Sequence, residues 1–250
     1  MANPGGNYPG RQIFVGGLKC GHPAFAYFGS GRSSRSQQRY AAPFDERESA
    51  VRIKHVDPDE KFDSFRHYQA VKINPETGLA VISNSQAPVD MLAEGYSSKS
   101  GDERRHFLYR CLKLIGPEND SRENPTPRIA AALFPTTDRK QFPFMYVIGI
   151  VKSNRCIQDD RITGGEGRLQ YVQTYDGHVD YGPFNAPLLF SSEMHVGATT
   201  ARQLADEIYD MSDYVDPKYG ELRVWCVAGV RNGNGPGGWE IAGRNRHQVE

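Results

Sequence analysis

Two rhythms of apolar and polar positions run along the chain, and each predicts a different kind of element. Short apolar runs bounded by turn residues read as strands: "RQIFVGG" (11–17) and "AFAYFG" (24–29), joined by "LKCGHP" with its Gly and Pro. "YQAVKIN" (68–74) and "LAVISN" (79–84) flank "PETG" and predict a second hairpin. "PRIAAALF" (127–134) and "FMYVIGIV" (144–151) are apolar on both faces, which suits strands in a sheet covered on both sides. "RLQYVQTY" (168–175) and "ELRVWCVAGV" (221–230) add further strands. A helical period marks "DERRHFLYRCLKLI" (102–115), where Phe107, Cys111 and Ile115 recur on one face beside Leu108 and Leu112. It returns in "TTARQLADEIYDM" (199–211) through Ala201, Leu204, Ala205 and Ile208, with Thr200 and Gln203 spaced as a capping box. "APVDMLAEGY" (87–96) is a shorter helix. Many strands and few amphipathic helices predict a mixed α/β (α+β) chain with sheets packed under helices.

Composition adds limits. With 250 residues, 38% apolar and 24% charged, the chain is long enough for a substantial core. No repeat or long low-complexity linker divides it, so residues 1–250 read as one domain with 1–7 and 244–250 as flexible ends. "FPFMYVIGIV" (142–151) is too short to span a bilayer, and "MANPGGNYPG" lacks the plan of a signal peptide. Cys20, Cys111, Cys156 and Cys226 lie far apart without a C-x-x-C pair, which suits thiols of a cytoplasmic protein better than disulfides or zinc ligands. Zero net charge argues against a nucleic-acid coat. Residues 1–40, however, carry Arg11, Lys19, Arg32, Arg35 and Arg39 and no acidic side chain, which favours a local anion partner.

Several familiar signatures fail. "GNGPGG" (233–238) matches G-x-G-x-x-G, but a closing strand follows it where a dinucleotide site needs a helix, so it reads as a hairpin turn. The seven histidines are scattered, and "HVD" (178–180) reads as a surface turn. No G-x-S-x-G elbow occurs. Three stretches remain. "GRSSRSQQR" (31–39) crowds three arginines and three serines into nine positions. "ISNSQAPVD" (82–90) ends a strand with Asn84, Ser85, Gln86 and Asp90. "ENPTPRIAAAL" (123–133) leads a proline-stiffened loop with Glu123 and Arg128 into a buried strand. A structural ion pair is the plainer reading of Glu123 and Arg128; a loop placing polar groups for chemistry is the other.

Taken in order, "YPGR" (8–11), "AYF" (26–28), "GRSSRSQQR", "SNSQAPVD" (83–90) and "TPRIAAAL" (126–133) resemble the motif blocks of the archaeal-type IMP cyclohydrolase family, including its bacterial members. The resemblance spans roughly residues 8–230 and departs at Asn84-Ser85-Gln86-Ala87-Pro88-Val89-Asp90, where an Asn-Gly-Asp/Ser-x-Thr-Asp pattern is expected. It implies a four-layer αββα sandwich like that of the N-terminal nucleophile hydrolases, without their self-cleavage. It implies dehydrative closure of a formamido-imidazole-carboxamide ribonucleotide (FAICAR) to IMP, with no cofactor or metal and a homo-oligomeric assembly. Under it, the phosphate falls to Arg32, Ser33, Ser36 and Arg39, with Arg35 a further candidate and Arg11 close by. Asp90 joins the substrate-binding set. Tyr68 and Glu123 become the acid and base, with Glu118 an alternate, and Arg128 or Asn84 steadies the developing oxyanion. Two rivals stay open: a purine-nucleotide-binding protein of the same fold without turnover, and an amidohydrolase of the nucleophile fold, which would need a processed amino terminus. RNA binding through the Arg/Ser loop is a further one.

Overall fold

The computed structural model describes residues 10–64, 67–97, 101–118, 126–135, 144–153, 156–162, 167–175, 193–212 and 215–247. Its first hairpin pairs β1 (Arg11–Gly17) with β2 (Pro23–Ser30). A one-turn helix, α1 (Ser34–Gln37), leads into β3 (Arg39–Ala41) and β4 (Ala50–His55). The second hairpin, β5 (Tyr68–Ile73) and β6 (Ala80–Ser83), is followed by α2 (Gln86–Ser97) and α3 (Gly101–Ile115). A meander of β7 (Arg128–Pro135), β8 (Phe144–Ser153) and β9 (Cys156–Ile162) follows. Next come β10 (Arg168–Gln173), β11 (Glu193–His195) and α4 (Ala201–Met211). Two short strands, β12 (Val215–Asp216) and β13 (Gly220–Glu221), precede the last hairpin, β14 (Arg223–Arg231) and β15 (Trp239–Asn245).

Two large antiparallel sheets result, which makes the chain α+β. One runs β11-β10-β1-β2-β14-β15 and the other β3-β4-β5-β6-β7-β8-β9. Sequence alternation decides which face each residue takes. Ile13, Val15, Phe25, Tyr27 and Val227 of the six-stranded sheet share one apolar cluster with Ile53, Ala70, Ile82, Ile129 and Leu133 of the seven-stranded sheet. The intervening residues of β7, namely Ala130, Ala132 and Phe134, face α2 and α3 with Leu92, Leu108 and Leu112. That is why the 127–134 run is apolar throughout: both of its faces are covered. The opposite face of the six-stranded sheet, through Ala26, Phe28, Cys226 and Ala228, packs on Ala201, Leu204, Ala205 and Ile208 of α4. Each fully buried Ile, Leu or Phe among these contributes about 1.5–3 kcal/mol relative to exposure.

Most predicted elements are present, with informative differences at their ends. Thr200 caps α4 by accepting from the Gln203 N–H, but the Gln203 side chain reaches Thr199 instead of closing the box on Thr200. The buried stripe of α3 is centred on Leu108, Cys111 and Leu112; Phe107 is half-buried, edge-on to Tyr96 at 5.0 Å. "GNGPGG" does turn between β14 and β15. The β3–β4 ribbon was not singled out by the pattern, since only three residues pair and Arg52 and Lys54, on the face opposite Val51 and Ile53, break the apolar run. Its edge is joined to the other sheet by Asn245, whose side chain accepts from Ala41 N and donates to Ala41 O. Among the described residues Cys111 and Cys226 are buried thiols and Cys20 is exposed. No described helix is long and apolar enough to cross a membrane.

Candidate active site

Strand polarity brings the sequence's chemistry to one end of the two sheets. In the seven-stranded sheet, the starts of β3, β5 and β7 meet the ends of β4 and β6, so Arg39, Tyr68 and Arg128 share that end with His55 and Asn84. In the six-stranded sheet, Arg11 opens β1 opposite the end of β2 and the start of β14. The two ends touch through a pair of tyrosines. Tyr27 and Tyr68, both buried, hold their hydroxyls 2.6 Å apart across the inter-sheet core.

Around this pair lie guanidinium groups. Burial chiefly, and then Tyr68, push the Tyr27 phenol well above its ordinary value, while the positive fields of Arg11 and Arg39 oppose the rise. Arg11 is placed by the turn before it: Gly10 sits at φ +70°, and a Cβ there would meet Thr174 Oγ1 and the Tyr175 ring at 2.4 Å. Thr174 Oγ1 accepts from the Arg11 backbone N–H, and the guanidinium donates to Ser30 O at 2.7 Å. Arg39 is 2% exposed and donates from Nε to Ser36 O. A buried arginine is uncommon unless its charge is used or compensated. Arg32 lies over the Tyr175 ring at 5.2 Å, beside the Gly10 turn. Arg35 points elsewhere, with Nε 3.7 Å from Glu60.

The serines of "GRSSRSQQR" have a visible local job. Ser33 Oγ accepts from Ser36 N and Ser36 Oγ accepts from Ser33 N, a reciprocal capping box that starts α1. Gln37 then donates to the carbonyls of Gly31, Tyr219 and Glu221, anchoring the loop to the six-stranded side. Thus the loop's shape is held by Ser and Gln, while Arg32 and Arg39 supply its charge.

The remaining expected residues are placed apart from the tyrosine pair. Arg128 precedes Ile129 on the helix-covered face of β7; its Nη1 donates to Ile115 O and Gly116 O, closing the carboxyl end of α3. Burial lowers its pKa and Glu118, itself buried, opposes this. The Arg128 Nε has no hydrogen-bond partner among the described residues. Asn84 donates to Pro127 O and accepts from Ile129 N, both at 2.9 Å, so its amide bridges β6 to β7. Asp90 accepts from Gln86 Nε2, and Gln86 Oε1 accepts from Gln69 N at the start of β5. Glu123 lies outside the described residues.

Two residues of the cluster were not picked as site residues from the sequence. Tyr27 looked like one aromatic in an apolar strand, although it lies within the "AYF" block. Trp225 looked like core. It is fully buried, edge-on to Tyr27 at 4.7 Å and under Arg11 at 5.9 Å, and its Nε1–H has no partner among the described residues. It fits there because its cross-strand partner is Gly29, whose absent side chain leaves room for the indole. The second tryptophan, Trp239, does find an acceptor, Gly78 O at 2.9 Å. Of the two tryptophans, Trp225 alone has an indole donor without a partner among the described residues, and the sequence carries no local signal of that difference.

Chemically, the cluster offers concentrated positive charge next to two phenols that can pass a proton between them. It suits an anion carrying a group that exchanges protons. A family model described as IMP cyclohydrolase-like protein matches residues 8–232. No curated protein matches the chain.

Proposed function

The chain belongs to the IMP cyclohydrolase-like family, and we propose that it closes FAICAR to IMP with loss of water, as a step of purine synthesis. The observation that carries this reading is the Tyr27–Tyr68 hydroxyl pair between the Arg11 and Arg39 charges. The helix-covered faces of two sheets packed on a common core support the four-layer αββα sandwich resembling N-terminal nucleophile hydrolases.

In this proposal the monophosphate, with about two negative charges, is held by Arg32 and Arg39, with Arg11 contributing. The capping box spends the backbone N–H groups of Ser33 and Ser36, so in this proposal the two serines bring their hydroxyls to the same oxygens, Ser36 by giving up its bond to Ser33 O, and Asp90 lies on the ribose side. Both reacting groups sit on one imidazole ring, so the protein gains most by holding the carboxamide nitrogen against the formyl carbon. The carboxamide nitrogen attacks and loses one proton while the formyl oxygen gains one and becomes a hydroxyl. The formamido nitrogen then loses its proton as the C=N bond forms, and the hydroxyl takes a second proton and departs as water. Tyr27, kept protonated by burial, donates to the Tyr68 oxygen and leaves the Tyr68 hydrogen for the departing hydroxyl. Glu123 takes the nitrogen's proton. Acid and base of this kind are worth about 10²–10⁴-fold together or singly. Arg128 is engaged with α3 and Asn84 with the β6–β7 join, both apart from the tyrosine pair, so in this proposal the oxyanion role expected of one of them passes to the Trp225 Nε1–H beside Tyr27.

An ultraviolet assay of the purified protein with the formamido substrate tests the reaction. Arg32→Ala and Arg39→Ala are expected mainly to raise KM; KM unchanged in both removes the phosphate assignment. Tyr68→Phe and Glu123→Gln are expected to lower kcat with modest change in KM. A second reading, a purine-nucleotide-binding protein of the same fold without turnover, is favoured by the altered 84–90 segment, where Gln86 and Asp90 bond each other and Ser85 Oγ has no partner among the described residues. Tight IMP binding with no turnover selects it.

A further inference from the structure

A cavity of about 570 Å³ opens between the β3–β4 ribbon and the chain that follows β4, and Tyr68 is the one residue it shares with the cluster above. Its volume lies within the range of small-molecule sites, roughly 300–1,000 Å³. Two imidazoles lie there with ring centres 6.4 Å apart and planes tilted by 57°, His55 at the end of β4 and His67 just before β5. The backbone N–H of Asp57 donates to His55 Nδ1 at 3.1 Å, and that of Asp63 donates to His67 Nδ1 at 2.9 Å. The carbonyls of Asp57 and Asp63 lie farther from the same two Nδ1 atoms, at 3.4 and 3.2 Å. The shorter contacts are to N–H groups, which can only donate, so the geometry favours Nδ1 as acceptor with the hydrogen on Nε2. His55 Nε2 is buried and has no hydrogen-bond partner among the described residues. With its hydrogen there, His55 Nε2 offers a donor, which suits an acceptor atom of a ligand.

The rest of the lining sets the ligand's shape and charge. Phe62 stacks on His67 at 5.6 Å with the rings 25° apart, yet it is 79% exposed. An aromatic so exposed beside a cavity is a platform with one face unspent. Tyr40 adds a second ring. Arg52 and Lys54 are balanced in the lining by Asp57 and Glu60, and Arg52 is already paired with Glu48 at 2.7 Å. The cluster at Arg11 and Arg39 favours an anion; this cavity does not.

We propose that this cavity is a second binding site, for an uncharged planar heteroaromatic of nucleoside size that stacks on Phe62 and accepts a hydrogen bond from His55 Nε2. It goes beyond the cyclisation reading and does not depend on it. The test is calorimetric titration of the full chain with three neutral nucleosides (inosine, adenosine and cytidine), alone and in the presence of saturating IMP. At least one is expected to bind, and IMP is expected not to displace it. Phe62→Ala should weaken binding about tenfold through lost stacking, and His55→Phe, which keeps a ring and removes the donor, about fivefold. Phe62 is exposed, so its variant folds and keeps the test open should His55→Phe be unstable. Binding by none of the three overturns the proposal. So does one-for-one displacement by IMP, which would make the cavity part of the nucleotide site, and so does unchanged affinity in both variants.

Discussion

Replacing Gly29 by alanine tests the packing that underlies the whole cluster. A Cβ at Gly29 would lie 2.3 Å from Trp225 Cζ2, 2.4 Å from Cε2 and 2.9 Å from Cη2, against about 3.5–4.0 Å for a comfortable carbon contact. The ring cannot rotate clear, because it is fully buried, edge-on to Tyr27 at 4.7 Å and beneath Arg11 at 5.9 Å. Relief therefore requires β2 and β14 to part at a paired position, or Trp225 to move into Tyr27. Overpacking of this kind costs about 1–3 kcal/mol. At about 2–4 °C per kcal/mol for a chain of this length, the melting temperature should fall by roughly 5 °C. Gly197→Ala is the control, since its Cβ would meet only Glu207 Oε2 at 3.9 Å; it should leave stability unchanged or slightly raised. Thermal melts followed by circular dichroism read both. If the Tyr27–Tyr68 contact serves turnover, Gly29→Ala also lowers kcat in the cyclisation assay beyond what its folded fraction explains. A melt within about 1 °C of wild type, with kcat unchanged, refutes the reasoning.

Alkaline stability should report on Tyr27. Burial and Tyr68 raise its phenol, so the folded state resists ionisation while the unfolded chain does not. Its contribution is complete below about pH 10 and declines as pH rises past that value. Urea denaturation at about pH 8 and about pH 11 should show a larger loss for wild type than for Tyr27→Phe; equal losses reject it. Asn84→Ala leaves Pro127 O and Ile129 N without their partner and should cost about 1–3 kcal/mol in urea melts; a neutral result means that the amide is not structural. Trp225→Phe keeps an aromatic ring in the core but removes the indole N–H together with part of the buried ring, so its kcat is read on the folded fraction. A drop in kcat with little change in KM is expected if that donor meets the oxyanion, and a wild-type kcat removes the role.

The sequence by itself determined the elements. Period-two runs and turn residues marked both early hairpins, and the all-apolar 127–134 run marked a strand covered on both faces, as Ile129 and Ala130 on opposite clusters bear out. The i, i+4 stripe marked α4. What local patterning cannot carry is which strand ends meet. That Tyr27 and Tyr68, 41 positions apart, touch through their hydroxyls follows from sheet order and inter-sheet packing. The same holds for Arg128, which the sequence placed where a stiffened loop enters a buried strand and β7's alternation turns toward α3. Trp225 gives the plainest case: an indole in a strand reads as core, and only its cross-strand neighbour, a glycine, leaves it beside the arginine and the tyrosine with its N–H unpartnered among the described residues. Periodicity is a local property of the chain, whereas a buried donor's partner is decided by residues that folding brings from elsewhere.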